Sequence, residues 1–139
     1  MNVRQLMSGD PITMGSEGSV GLALELMHRC DVRELPIVDG ESLVGIVTDR
    51  DVKTLLGPGS LSLDESQLDE DGLQAPIRDI MSDEVATLLP EMPASAACRL
   101  LVERKVGAMP VTDHVGRLLG ICSVTDLLSA AAPLFEREE

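Results

Sequence analysis

The chain has 139 residues and a formal net charge of −13, from 11 basic and 24 acidic side chains. Because affinity for nucleic acids and for anionic membranes depends on Lys and Arg, this charge argues against both kinds of partner. Hydrophobic residues make up 44% of the sequence but aromatic residues only 1%, so we expect a folded protein with an aliphatic core.

The cysteines and the apolar segments indicate the cellular compartment. Cys30, Cys98 and Cys122 form an odd and widely spaced set, which predicts reduced thiols rather than disulfides. The first residues lack the apolar run of a signal peptide, and no stretch approaches the roughly 18 apolar residues of a membrane span. We therefore expect a soluble cytoplasmic protein.

The first part of the chain predicts the element order β-α-β-β-α. A brief strand is expected at residues 11–14. A helix follows, because apolar residues recur at the i, i+3, i+4, i+7 spacing of one helix face. These residues are Val20, Ala23, Leu24 and Met27. Two β-rich runs at 35–38 and 43–47 are joined by a turn, and a second helix over 48–56 completes the unit.

Residues 57–76 differ from the rest in composition and predict an acidic linker. Gly and Pro at its start end the preceding helix, and its carboxylates indicate exposure to solvent. The spacing of an EF-hand calcium loop is absent from this acidic stretch. No metal site is therefore expected.

The second part of the chain repeats the first. Residues 3–8 match residues 77–82 at an offset of 74, and one extra residue in the second hairpin turn raises the offset to 75. The apolar helix stripe recurs in the second copy as Ala94, Ala97, Cys98 and Leu101. Copies of roughly 55 residues bury too little surface alone, so the two should pack together. The predicted domains are a first repeat at 1–56, a second at 77–132 and an acidic tail at 133–139.

Two motifs occur in both copies. The pattern M-x4-V-x-x-L-P-I at 27–37 recurs as L-x4-V-x-x-M-P-V at 101–111. A G-h-h-[ST]-x-x-D element, where h is apolar, occupies 45–51 and 120–126. Through these motifs the chain resembles the cystathionine beta-synthase (CBS) domain family. The resemblance implies an α+β sandwich of two β-α-β-β-α repeats packed with pseudo-two-fold symmetry, with two clefts for adenosine-containing ligands.

The G-h-h-[ST]-x-x-D element supplies ribose and phosphate contacts in that family. One carboxylate can accept hydrogen bonds from both ribose hydroxyls, a role that falls to Asp51 and Asp126. Thr48 and Ser123 stand at helix N-termini, whose free N–H groups suit a phosphate. The glycines that open the two elements, Gly45 and Gly120, would let a ligand approach closely. The alternative is that [ST]-x-x-D forms only a helix capping box.

Other candidate residues follow from the resemblance and from charge. The family positions that line the adenine are held by Ile12, Thr13, Pro36, Ala86, Thr87 and Pro110. Core packing is the alternative role for these six.

Two arginines of the first repeat could bind phosphate. They are Arg33 and Arg50, for which a solvated surface position is the alternative. The second repeat has Gly107 and Thr125 at these positions, so we expect unequal phosphate affinities unless Arg104 and Lys105 compensate.

The function favoured by the resemblance is a non-catalytic regulatory module that senses AMP, ADP, ATP or S-adenosylmethionine and acts on an effector that the sequence does not identify. The alternative is a ligand-free structural or protein-interaction module whose motifs only cap helices. An enzyme is not expected, because the sequence has no nucleophile–base pair, metal cluster or glycine-rich phosphate loop. No cofactor is expected.

The second helix of each repeat predicts a homodimer. Both helices are apolar beyond a single stripe, at Val52, Leu55 and Leu56 in the first and at Leu127, Leu128 and 130–132 in the second. An uncovered apolar face of several hundred Å² commonly marks an interface, and the resemblance implies a two-fold dimer formed through helices. The alternative is that these side chains pack only against the other repeat of the same chain.

Overall fold

The computed structural model describes residues 1–57 and 70–139. They form a mixed α+β structure with two separate β-sheets. The helices are α1 (Val3–Leu6), α2 (Val20–Cys30), α3 (Asp49–Leu56), α4 (Glu70–Gln74), α5 (Ala94–Arg104) and α6 (Val124–Glu136), with a 3₁₀ turn at Ile77–Asp79. The strands are β1 (Met14–Gly15), β2 (Glu34–Asp39), β3 (Ser42–Thr48), β4 (Ala108–Thr112) and β5 (Leu118–Ser123). Most of the predicted linker lies outside the described residues.

The chain divides into two compact units. The first unit is Ile12–Val85, and the second unit combines Met1–Pro11 with Ala86–Glu139.

In the first unit, β1 pairs parallel with β2, and β2 pairs antiparallel with β3. Helix α2 buries the four residues of the predicted stripe, Val20, Ala23, Leu24 and Met27. Ser19 caps this helix, because its hydroxyl accepts a hydrogen bond from the Leu22 N–H at 3.2 Å. The stripe packs on Leu35, Ile37 and Val47 of the sheet. The aliphatic core expected from the composition is therefore confirmed here.

The second unit has the same plan with a shorter first strand. Strands β4 and β5 pair antiparallel, and Leu88 makes a single parallel bridge to Val111 where the first unit has β1. Helix α5 buries Ala97 and Leu101. Cys98 belongs to the predicted stripe but is exposed. The prediction that the whole stripe faces the core is therefore wrong at Cys98, and Ala94 is only half-buried.

Each unit also contains the opening segment of the other sequence repeat. Ser82 exchanges two backbone hydrogen bonds with Ile46 of β3, both 2.9 Å long. Ser8 and Ile121 of β5 do the same at 2.9 and 3.1 Å. Arg78 further fastens its segment by donating to the buried Ser16 hydroxyl at 2.8 Å.

These added segments explain the two motif glycines. A Cβ at Gly120 would lie 2.4 Å from the Ser8 carbonyl oxygen, and one at Gly45 would lie 2.6 Å from the Met81 sulfur. At Gly120 the nearest atom belongs to the backbone, so the Ser8 segment would have to move, whereas at Gly45 the Met81 side chain would have to shift. The space that we expected these glycines to leave for a ligand is filled by the protein's own chain.

Candidate functional site

The junction of β3 and α3 forms a complete capping box. Thr48 has extended backbone angles and stands at the N-cap of α3, with its hydroxyl accepting from the Asp51 N–H at 3.3 Å. In return, Oδ2 of Asp51 accepts from the Thr48 N–H at 2.9 Å. The Thr48 hydroxyl lies 3.2 Å from the same oxygen.

The junction of β5 and α6 repeats this arrangement. The Ser123 hydroxyl accepts from the Asp126 N–H at 3.1 Å, and Oδ2 of Asp126 accepts from the Ser123 N–H at 2.8 Å. Both carboxylates are part-buried. Capping is therefore a role of both motifs in the folded protein.

The capping role leaves one oxygen of each carboxylate available. Within the described residues, no hydrogen bond reaches Oδ1 of Asp51 or Oδ1 of Asp126. A carboxylate oxygen accepts about two hydrogen bonds, which is the number that a ribose diol can donate. Capping and ligand binding are thus chemically compatible at both junctions.

Strand register brings the other candidates of the first unit towards Thr48. Thr48 lies opposite Glu34 at one end of the β2–β3 pair. Because β1 runs parallel to β2 and starts at Met14, the residues before it lie towards that same end. Thr13 is half-buried there, whereas Ile12 is 39% exposed.

The second unit has the same register. Ser123 lies opposite Ala108, and the Leu88–Val111 bridge places the half-buried Ala86 and Thr87 towards that end of the sheet.

The two prolines occupy the sheet interior. Pro36 pairs with Ile46 and Pro110 with Ile121, and both prolines are fully buried. The Pro110 carbonyl accepts from the Leu88 N–H at 2.9 Å. Core packing is thus a role of both prolines, and their contact with adenine stays a prediction.

The basic residues of the first unit gather around Asp49. Its Oδ2 lies 3.4 Å from Nη1 of Arg33 and 3.5 Å from Nζ of Lys53. The side chain of Arg33 is 78% exposed and that of Lys53 43% exposed, so these pairs are weak. Arg50, in the first turn of α3, is exposed and makes no ion pair within the described residues. Phosphate binding by Arg50 stays a prediction.

Sequence reasoning missed Glu34, which lies at this end of the sheet. Burial raises the pKa of Glu34, and the nearby Asp49 raises it further, while Arg33 opposes the shift. The signal that could have found Glu34 is its position immediately before the buried strand residues, opposite Thr48.

The corresponding surroundings in the second unit are almost uncharged. Ala108 stands where the first unit has Glu34, and Val124 and Thr125 replace Asp49 and Arg50. The Gly107 carbonyl accepts from the Val124 N–H at 2.9 Å, which ties the loop after α5 to the start of α6.

Two cations precede that loop in the chain. Arg104 ends α5, and Lys105 follows in a left-handed conformation. Both are exposed, and neither makes an ion pair within the described residues.

Neither a metal cluster nor a membrane span is found in the parts of the chain that the structure describes. No group of three or more His, Cys, Asp or Glu side chains there could hold an ion. No helix there is long and apolar enough to cross a bilayer.

The sequence comparisons agree with the motifs. The CBS domain family model matches residues 3–57 and 77–133. A CBS domain-containing protein of Dictyostelium discoideum is 32% identical over 139 residues, covering 96% of this chain and 93% of that protein. An inosine-5'-monophosphate dehydrogenase of Methanocaldococcus jannaschii is 31% identical over 86% of this chain, but only 21% of the enzyme is covered.

Two solved structures with bound ligands resemble the whole chain. CBSX2 in complex with AMP superposes with a TM-score of 0.80 at 27% identity, covering 96% of this chain and 98% of CBSX2. The CBS domain pair of protein MJ0100, in complex with 5'-methylthioadenosine and S-adenosyl-L-methionine, gives 0.74 at 25% identity. That match covers 100% of this chain and 98% of the other.

Proposed function

The chain belongs to the CBS domain family, and from this premise we propose that it is a regulatory module that binds an adenosine-containing ligand. The relatives support the ligand class, because CBSX2 is complexed with AMP and the MJ0100 pair with two other adenosine derivatives. The dehydrogenase relatives share only about a fifth of their length with it, so their catalytic activity is not carried over. The cytoplasmic location expected from the cysteines stays a prediction.

The observation that carries the proposal is the unused oxygen of each motif carboxylate. Oδ2 of Asp51 and of Asp126 is held by a backbone N–H, which fixes the carboxylate at the start of a helix. Oδ1 then faces no donor among the described residues. A ribose diol would supply that donor pair, with the added strength of a charged acceptor.

We further propose that the two sites differ in ligand charge. In the first unit, Arg50 stands at the start of α3, where the helix dipole also favours an anion. In the second unit Thr125 takes that position, and only Arg104 and Lys105 at the end of α5 bring positive charge near in sequence. The first site therefore favours a nucleotide phosphate, and the second tolerates a ligand without one.

A thermal-shift screen tests the proposed ligand class. The probes are AMP, ADP, ATP, 5'-methylthioadenosine and S-adenosylmethionine, with GMP as the control for a phosphate on another base. A ligand at 100 times its Kd stabilises the folded state by about 2.7 kcal/mol, which raises Tm by several degrees. If no adenosine compound raises Tm at millimolar concentration, the ligand-free interaction module is the better account.

A further inference from the structure

Glu34 is a half-buried carboxylic acid at the end of the first unit's sheet where the ligand is proposed to bind. It begins β2 and lies directly opposite Thr48 in the antiparallel β2–β3 pair. Opposite residues of such a pair project their side chains from the same face of the sheet, with Cβ atoms about 4.5–5.5 Å apart. The Glu34 carboxyl is therefore a neighbour of the Thr48 hydroxyl, which is a candidate phosphate contact.

The Glu34 carboxylate has no partner of its own. Within the part of the chain that the structure describes, neither a hydrogen bond nor an ion pair reaches it. The adjacent cation in the chain, Arg33, pairs with Asp49 at 3.4 Å instead. Burial and the charge of Asp49 raise the pKa of Glu34, and Arg33 only opposes that shift. A carboxylate that is half-buried and unpaired is poised to take up a proton when more negative charge arrives.

The elements beside Glu34 differ in charge. On α3, Asp49 and Asp51 are acidic, Lys53 pairs with Asp49 at 3.5 Å, and Arg50 is exposed. On the other side of β2, the three residues before β1 carry no charge. A phosphate at the start of α3 would thus meet three carboxylates. Asp51 caps the helix and Asp49 is ion-paired, so Glu34 is the carboxylate of the three whose proton can change without breaking a contact among the described residues.

We propose that Glu34 determines how the first site responds to the 5' group of an adenosine ligand: a phosphate binds there together with a proton on Glu34, and an uncharged 5' group binds without one. This inference rests on the proposed function, because it concerns the same site. The proton removes a negative charge beside Thr48 and leaves a carboxylic O–H that can donate a hydrogen bond to a phosphate oxygen. An ionised Glu34 would instead place two negative groups side by side in a half-buried position, where solvent screens them less.

The affinity of the first site for AMP therefore depends on pH through Glu34. A phosphate next to this carboxyl raises its pKa beyond the value in the free protein, which is already above 4.5. Between the pKa of the free protein and that of the complex, binding takes up a proton, so AMP binds less tightly as pH rises through that window. The second unit has Ala108 at this position and lacks this source of pH dependence.

Titration calorimetry with two ligands that share one nucleoside tests the proposal. AMP carries a 5'-phosphate, and 5'-methylthioadenosine carries an uncharged 5' group. The variant is Glu34→Gln, which has the shape and a donor like those of the protonated carboxyl, and the control for the charge change is Glu41→Gln in the exposed β2–β3 turn.

We expect Glu34→Gln to bind AMP at the tighter site several-fold more tightly than wild type at pH 7.5 and about equally at pH 5. Its affinity for 5'-methylthioadenosine should match that of wild type at both pH values, and Glu41→Gln should match wild type throughout. The phosphate of AMP itself titrates near pH 6, about the value for a phosphate monoester, but this contribution cancels when the proteins are compared at one pH.

The outcomes separate this inference from the proposed function. If wild type and Glu34→Gln both bind AMP with equal affinity at pH 7.5, the inference is wrong and the proposed function stands. If none of the proteins binds either ligand at either pH, both are wrong.

NMR of the Glu34 carboxyl carbon tests the proton directly in the wild-type chain, with Glu34→Gln used only to assign the signal. Saturating AMP should raise the pKa of Glu34, and saturating 5'-methylthioadenosine should leave it unchanged. A Glu34 pKa that is the same with and without bound AMP would overturn the inference.

Discussion

Glu34 is a partly buried charged residue of the first unit with an uncharged counterpart in the second. Its half-buried carboxyl lies opposite Thr48, and the nearby Asp49 carboxylate helps to raise the pKa of Glu34. In the second unit the same position is Ala108, which carries no charge. An ionised Glu34 therefore works against the first unit in two ways, through its own desolvation and by opposing an anion at the start of α3.

We expect Glu34→Gln to stabilise the protein at neutral pH and not at low pH. Because the pKa of Glu34 is raised above 4.5 in the folded state, folding favours the protonated carboxyl. The stability that this carboxyl contributes is fully present below pH 4.5 and is lost as pH rises through the raised pKa. Glutamine removes this loss, so Tm at pH 7 should rise by about 1–3 °C. Scanning calorimetry at pH 7 and pH 4 measures the change in Tm. Glu41→Gln, in the exposed β2–β3 turn, is the control for the charge change.

A rise in Tm that is equal at both pH values would contradict this reading, because it would show that the effect of Glu34→Gln is independent of ionisation.

At the scale of single elements, the sequence predicted the longer helices and the two hairpin strands of each unit, but not always what packs against them. The brief strand expected at 11–14 lies instead at Met14–Gly15. The stripe of α2 was predicted in full because helical periodicity is a local property of the chain. The same stripe in α5 was overestimated at Cys98, because burial depends on what packs against a helix. The sequence predicted capping boxes at Thr48 and Ser123 as an alternative to ligand contact, and the structure contains both capping boxes.

The contacts of Gly45 and Gly120 could not be predicted from local pattern. Each accommodates a segment more than thirty residues away in the chain, Met81–Ser82 or Met7–Ser8. Spacing within a motif says nothing about such a partner. A glycine near a ligand motif therefore indicates close packing without showing which group packs there.

We expect Gly120→Ala to destabilise the second unit. The added methyl group would lie 2.4 Å from a backbone oxygen, so the Ser8 segment would have to move away from β5. Overpacking of this kind costs about 1–3 kcal/mol. The matched control is Gly9→Ala in the same segment, where nothing lies within 4 Å. Urea unfolding measures both, and equal losses for the two variants would refute the packing role.

At the scale of the whole molecule, the repeats of the sequence and the compact units of the structure have different boundaries. The family matches begin at residues 3 and 77, whereas the units exchange their opening segments. Internal similarity reveals repeated sequence, but the partner of each segment is decided by long-range strand pairing at Ser8 and Ser82. The domain boundaries predicted from the sequence describe the sequence repeats, and as domain boundaries they stay a proposal.

The two units also share a plan while differing in surface chemistry. The first presents charges around the start of α3, and the second presents an apolar face on α5 and α6. This difference supports the proposal that the first unit favours an anionic ligand more than the second does. It follows from substitutions at equivalent positions, which the sequence shows once the register is known.

Titration calorimetry with AMP, on wild type and on the variants Asp51→Asn and Asp126→Asn, tests the central claim most directly. Asparagine keeps an oxygen for the helix cap, so each variant should remain folded while losing the charged acceptor for the ribose. The account predicts two unequal sites in the wild type. Asp51→Asn should weaken the tighter site by roughly ten- to a hundredfold, since a hydrogen bond to a charged group contributes about 1.5–3 kcal/mol. Asp126→Asn should weaken only the other site. AMP binding that is unchanged in both folded variants would contradict the account.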